Sequence, residues 1–301
     1  MMNSFNYVGK KKNNYFEGWY VKAIDSIKDK SLVIILGITT NKSDRHCFVQ
    51  IFESGQYSVK YFRYNMSQFE HSNNYVSVGN CVLTPNYLTF KEGAYDVRLE
   101  FSNKLDIKRN LFQAGTMGYY KMIPMSSYHE TVFLKSEVEG KFNDEVITGI
   151  GYIEKTYGTR FPKEYFWVQT NHFSKQNCSL LVSGAKVKVM GREKLGFFAI
   201  VNVNDQEYRF ATYNSSFIHV LDSAKDRLDL IMFKGKYRCH VQVDIKDSTK
   251  LIAPSVDGAM TDEIYESINS ELKLSLYNNN KLIFTDKATY VGVENLLSTF
   301  E

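Results

Sequence analysis

The sequence predicts an all-β protein built from two antiparallel barrel or sandwich halves, with one short helix near the C-terminus. Three observations carry that prediction. Short apolar or alternating runs follow one another from residue 15 to residue 284, with Gly and Asn at the gaps between them. Aromatic residues are abundant, with 21 Tyr and 21 Phe against 4 Pro, and Tyr and Phe favour strands. Only one stretch has helical signals. A chain of 301 residues is too long for a single small barrel, so the expected division is residues 1–158 and 159–301.

The first dozen residues, ending in Lys10-Lys11-Lys12, are polar and read as a frayed arm. Tyr15 to Ile24 is the first strand. Leu32-Val33-Ile34-Ile35-Leu36-Gly37-Ile38 is a continuous apolar run, short enough for a strand buried on both faces. His46 to Phe52 and Tyr57 to Phe62 alternate. Tyr87–Phe90 and Tyr95–Phe101 flank Lys91-Glu92-Gly93-Ala94 as a hairpin, with Val97, Leu99 and Phe101 facing inward. Gln113 to Met125 holds two Gly, one Pro and three Met without alternation, and reads as an irregular loop. Strand patterns resume at Tyr128–Val138 and Val146–Ile153, and continue through Leu180–Gly184, Gly196–Val203, Glu207–Thr212, Leu228–Phe233 and Tyr237–Val243. The helix is expected at 261–269, where Asp262 and Glu263 occupy a first turn and Ile264 and Ile268 stand four apart. Leu272–Leu276 and Leu282–Phe284 are the last strands.

Composition excludes several classes. The net charge of +4 is small and the charges are mixed, so no basic stripe for nucleic acid is present. No apolar run is long enough for a membrane span, and the N-terminal residues lack a signal-peptide core. Cys47, Cys81, Cys178 and Cys239 are widely spaced, which suits buried thiols in a reduced, cytoplasmic protein. The six His show no metal spacing, and no nucleophile elbow, phosphate loop or dinucleotide fingerprint occurs. No metal and no cofactor are therefore expected.

The chemistry concentrates in one stretch, Gly151 to Pro162 running on to Trp167–Phe173, and in its echo, Tyr15-Phe16-Glu17-Gly18-Trp19-Tyr20-Val21-Lys22. The only two Trp fall one in each. Neighbours in a strand point to opposite faces, so either Glu154 or Lys155 can face a cavity. An acid inside an aromatic cavity is held protonated by burial; the plainer reading is a surface Glu–Lys pair. Glu17 has the same two readings, but four aromatic rings flank it. If 166–173 is one strand, Trp167, Gln169, Asn171 and Phe173 share a face, and that face looks like a pocket wall. His129 is a further candidate.

These residues resemble the tocopherol cyclase-like family, itself similar to carotenoid hydratase, AttH-type and lipocalin-like proteins. The matching pieces are Tyr15–Lys22; Phe48-Val49-Gln50; Met117-Gly118 with Pro124-Met125 and Tyr128-His129; Gly151–Lys155 with Gly158 and Phe161-Pro162; Trp167-Val168-Gln169 with Asn171 and Phe173; and Ala253-Pro254, Gly258-Ala259-Met260, Ile264, Glu266-Ser267, Gly292 and Glu294. The resemblance implies two lipocalin-like β domains around an apolar cavity. It also implies closure of a ring by protonation of a prenyl double bond, followed by attack of a phenol oxygen on the cation. The resemblance does not fix the roles; the chemistry such a step needs, a buried acid beside aromatic faces, makes Glu17 or Glu154 the expected acid. Trp19, Tyr20, His129, Lys155, Tyr157, Trp167, Gln169, Asn171 and Phe173 are expected to line the ligand. Tyr157 and Thr156 depart from the family's usual Trp and Asn or Asp, and the Lys-, Asn-, Tyr- and Ile-rich composition suggests an A+T-rich bacterial genome. The expected partner is an apolar prenyl or polyene small molecule, cyclised or hydrated, with peripheral membrane contact left open and no obligate protein partner. The alternative is a carrier that holds such a ligand without turnover.

Overall fold

A computed structural model describes residues 5–25, 27–110, 113–175, 177–189 and 192–297. The first sheet has eleven strands: β1 (Phe16–Asp25), β2 (Lys30–Thr39), β3 (His46–Glu53), β4 (Lys60–Tyr64), β5 (Phe69–His71), β6 (Val76–Val78), β7 (Cys81–Leu83), β8 (Tyr87–Glu92), β9 (Tyr95–Leu105), β10 (Ser127–Phe142) and β11 (Glu145–Gly158). Their spatial order is β4-β3-β2-β1-β11-β10-β9-β8-β7-β6-β5. The second contains β12 (Tyr165–Thr170), β13 (His172–Phe173), β14 (Cys178–Val189), β15 (Arg192–Val203), β16 (Gln206–Ala211), β17 (Phe217–Ala224), β18 (Arg227–Lys234), β19 (Tyr237–Asp244), β20 (Thr249–Pro254), β21 (Met260–Asn278) and β22 (Lys281–Asn295). Its order is β16-β15-β14-β12-β22-β21-β19-β18-β17, with β13 on β22 and β20 on β21. The strand pairings are antiparallel, and the sheets curl into lipocalin-like half-barrels.

Two compact units result. One gathers Met1–Ile107, Ile123–Phe161 and Lys250–Ile264; the other gathers Lys108–Met122, Pro162–Thr249 and Tyr265–Glu301. Each has its own core, because alternate residues of every strand turn inward. In the first, Trp19, Val21, Ile34, Leu36, Val49, Ile51, Leu88, Leu99 and Ile153 are buried together. In the second, Phe166, Val168, Leu180, Val182, Val201, Leu230, Val241, Leu274 and Val293 do the same. The β8–β9 hairpin forms as the sequence predicts, with Val97, Leu99 and Phe101 buried.

Two local expectations are corrected. Residues 261–269 are not helical; they lie within β21. A spacing of four fits a strand as well as a helix, and Ile264, Glu266 and Ile268 are all buried on alternate positions. β21 pairs with β20 and, from Glu266 onward, with β22, and that pairing outweighs the weak helical signal. The N-terminal arm is also ordered before its lysines: Phe5 and Tyr7 are buried in the first core, and Tyr7 packs edge-on against Phe69 at 5.1 Å.

Candidate functional site

In the first unit β11 lies between β1 and β10. The register sets Tyr20 opposite Glu154 on one side and Thr131 opposite Glu154 on the other. It likewise aligns Trp19 with Lys155 and Glu17 with Tyr157. Because side chains alternate along a strand, the expected residues divide into two groups. Glu17, Trp19, Lys155 and Tyr157 face the barrel core; Tyr20, His129 and Glu154 face the other side, where Thr131 and Tyr152, not expected from the sequence, join them.

The core-facing group is a sealed ion pair. Lys155 Nζ is 3.1 Å from Glu17 Oε1, and the two side chains are 1% and 0% exposed. Glu17 also accepts from the N–H groups of Val8 and Gly9 and from the Tyr15 hydroxyl at 2.8 Å. Lys155 donates to the Asn6 carbonyl at 2.8 Å and lies 5.5 Å from the Trp19 ring and 5.1 Å from the Tyr157 ring. Burial pushes the Glu17 carboxyl above its ordinary range, while Lys155, the Tyr15 hydroxyl and the Val8 N–H pull it back. Burial and the Glu17 charge drive the Tyr15 phenol far above its usual value. Both oxygens of Glu17 are thus engaged by donors that pin the N-terminal arm onto β1.

The opposite face carries a second polar cluster, centred on Glu154. The Tyr152 hydroxyl donates to Glu154 Oε2, and His129 Nε2 lies 3.1 Å from the same oxygen. Tyr152 is held protonated well above its ordinary value, first by burial and then by Glu154. The Tyr20 ring stands edge-on to Tyr152 at 6.4 Å. Glu154 and Tyr152 are 6% and 1% exposed. A carboxyl, an imidazole and a phenol therefore meet in one dry cluster beside an aromatic face. That is the equipment for moving a proton. The depression lined by Asp25, Lys28, Lys30, Glu53 and Glu145 is different: it lies toward the far end of β1, and its Lys30–Glu145 ion pair is solvent-exposed.

Trp167, Gln169 and Asn171 belong to the second unit and are buried there. Trp167 pairs with Glu294, which pairs in turn with Glu266, and Gln169 pairs with Gly292. The Tyr165 hydroxyl donates to Glu294 Oε2 at 2.5 Å. Burial and the charges of Glu294 and Glu266 push that phenol well up. Phe173 departs from the expected shared face. β12 ends at Thr170, and Phe173 packs against the second core, 6.4 Å from Phe284. Tyr152 is readable as the same-face neighbour of Glu154, two residues away. Tyr165 and Glu294 are 129 residues apart, so no local pattern links them. Among the described residues no group of three or more His, Cys, Asp or Glu could hold a metal ion, and the four cysteines are buried free thiols.

Solved structures resemble this architecture across nearly its full length. A putative AttH from Nitrosomonas europaea aligns with TM-score 0.58 and 12% identity, covering 94% of this chain and 93% of that one. Kievitone hydratase from Nectria haematococca aligns with TM-score 0.57 and 10% identity, covering 98% and 94%. CghA, also solved with Sch210972, aligns with TM-score 0.60 and 8% identity, covering 100% and 93%. At these identities the likeness establishes the fold alone. No curated protein matches the chain. A tocopherol cyclase-like family model matches residues 108–295, well over half of the sequence, and the chain belongs to that family.

Proposed function

We propose that the protein is a cofactor-independent enzyme that cyclises or hydrates an apolar substrate bearing a prenyl or polyene double bond, with Glu154 as its acid. The observation that carries this reading is the Tyr152–Glu154–His129 cluster on the non-core face of β10 and β11. Family membership, and a hydratase among the structural neighbours, support a reaction that begins with protonation of a double bond.

The step balances without a cofactor. The Glu154 O–H bond breaks, and the alkene π electrons take the proton at the less substituted carbon. A tertiary cation is left on the other carbon. A phenol oxygen of the same molecule, or water, bonds to that carbon and loses its own proton to the Glu154 carboxylate. Tyr152, which stays a neutral donor, stabilises the carboxylate between the two transfers. His129 can relay the returning proton, and the faces of Tyr20 and Tyr152 suit a carbocation. Glu17 serves a different end in this reading, because its oxygens are already committed to four donor groups.

The test starts from mass spectrometry of lipid co-purified from the native host. That lipid, or a synthetic prenylated quinol, is then incubated with wild type and with Glu154→Gln. Glu154→Gln is expected to retain the ligand and to lose about 100-fold or more in product formation, the usual worth of a positioned acid. Undiminished turnover in Glu154→Gln would sink the assignment. An intact lipid that wild type also leaves unconverted would favour the carrier.

A further inference from the structure

The segment Gly115–Ile123 presents apolar side chains that the fold leaves uncovered. Met122 is 87% exposed, Tyr119 48% and Ile123 46%. The segment's backbone is fastened on each flank within the unit to which that flank belongs. Arg209 donates to the carbonyls of Lys108 at 2.8 Å and Gly115 at 3.1 Å, and the Tyr213 hydroxyl donates to the Thr116 carbonyl at 3.0 Å. Gly118, at φ +55°, lets the chain lie on the Tyr213 ring, which a Cβ there would meet at 2.8 Å. On the far flank, Tyr128 donates to the Ile123 carbonyl at 2.9 Å and accepts from the Met125 N–H. Tyr119, Tyr120 and Tyr213 form an aromatic base, with ring centroids 5.0–6.1 Å apart.

Charge adds a second, independent observation. Between Asp106 and Glu130 the sequence holds Lys108, Arg109 and Lys121 and no acidic residue. Lys108 and Arg109 are exposed. The nearby carboxylate of Glu207 is neutralised by Arg209 at 2.8 Å. An apolar tip with tyrosines at its base and basic residues on its N-terminal flank matches the layered chemistry of an anionic bilayer surface. Apolar groups enter the acyl boundary, tyrosine rings sit at the headgroups, and lysine and arginine meet the phosphates.

We propose that residues 118–123 dock the protein on anionic phospholipid membrane, so that an apolar ligand can be taken up without crossing water. The inference does not depend on which residue is the acid, and its test reads binding, not turnover. Co-sedimentation is measured with phosphatidylcholine vesicles with and without phosphatidylglycerol, at low and high salt. Wild type is expected to bind the anionic vesicles and to release as salt rises. The double variant Met122→Asp with Ile123→Asp is expected to bind at least about tenfold more weakly. Met122→Trp supplies a second readout: its emission should shift to the blue on anionic vesicles and stay unchanged without them. A Met122→Asp/Ile123→Asp variant that binds like wild type, or a Met122→Trp variant whose emission the vesicles leave unmoved, overturns the proposal.

Discussion

At the scale of single residues, the two glutamates that look alike in sequence separate by register. Glu17 and Glu154 both sit among aromatics, and either strand could turn either face inward. Pairing of Glu17 with Tyr157 and of Tyr20 with Glu154 puts them on opposite sides of one sheet. Glu17 then becomes the anchor of a buried ion pair, whose worth depends on which partner is removed. Lys155→Met leaves the carboxylate its Tyr15 hydroxyl and the Val8 and Gly9 N–H donors. Glu17→Gln leaves a buried ammonium with the Asn6 carbonyl and an amide oxygen. Removing one partner of a buried pair costs about 3–5 kcal/mol when the survivor is an uncompensated charge. Glu17→Gln is therefore expected at about 3–5 kcal/mol and Lys155→Met nearer 2 kcal/mol. Urea denaturation of the two variants decides the order; a larger loss in Lys155→Met would mean that the ammonium, not the carboxylate, carries the anchor.

At the scale of elements, most strands are legible in the sequence because alternation and short apolar runs are local signals. The run Leu32–Ile38 and the Tyr95–Phe101 alternation correspond to β2 and β9, with the expected faces buried. The stretch 261–269 misleads because an apolar spacing of four satisfies both periods, and pairing of β21 with β20 and β22, which the local spacing does not reveal, separates them. The arm misleads because Lys10-Lys11-Lys12 dominates its composition, while Phe5 and Tyr7 find a core that no local pattern announces. The site is half legible. Tyr152 is legible as the same-face neighbour of Glu154, but that Tyr20 and Thr131 stand opposite Glu154 needs the register to be seen. One element-level constraint fixes that register at the end of β11. A Cβ on Gly149 would lie 1.9 Å from the Ile24 carbonyl oxygen, which is β1 backbone and not a movable side chain. Gly149→Ala must push β11 away from β1, and a loss of about 2–3 kcal/mol is expected from such overpacking. Amide exchange along β1 and β11 is the measurement. Faster exchange spreading from Ile24 and Ile150 is the expected result; protection equal to wild type would show that the strands can part there at no cost.

For the whole molecule, the informative regularity is in the winding of the chain. In the first sheet β1, the first strand, pairs with β11, the last; in the second, β12 pairs with β22. Strands then count upward away from one member of each pair and downward from the other. The same meander is thus built twice, although no internal repeat is visible in the sequence. This winding makes the final strand of each sheet a central one, joined to the strand before it by a hairpin and to the opening strand by contacts distant in sequence, and such long-range pairing slows folding. β22 illustrates it: it carries β12, β13 and β21, and it supplies Val291, Val293, Phe284 and Ala288 to the second core. A chain ending at Asn280 would keep every other strand of that sheet, yet leave β12 and β21 without their shared partner and the core open. Such a truncation is expected to lose amide protection throughout β12, β14 and β21 and to bind a hydrophobic dye, whereas an outermost strand such as β17 borders only β18 and its loss would stay local. Hydrogen exchange of the two deletions, compared strand by strand, reads the difference; local loss in both would mean that the second sheet does not close on its last strand as a unit.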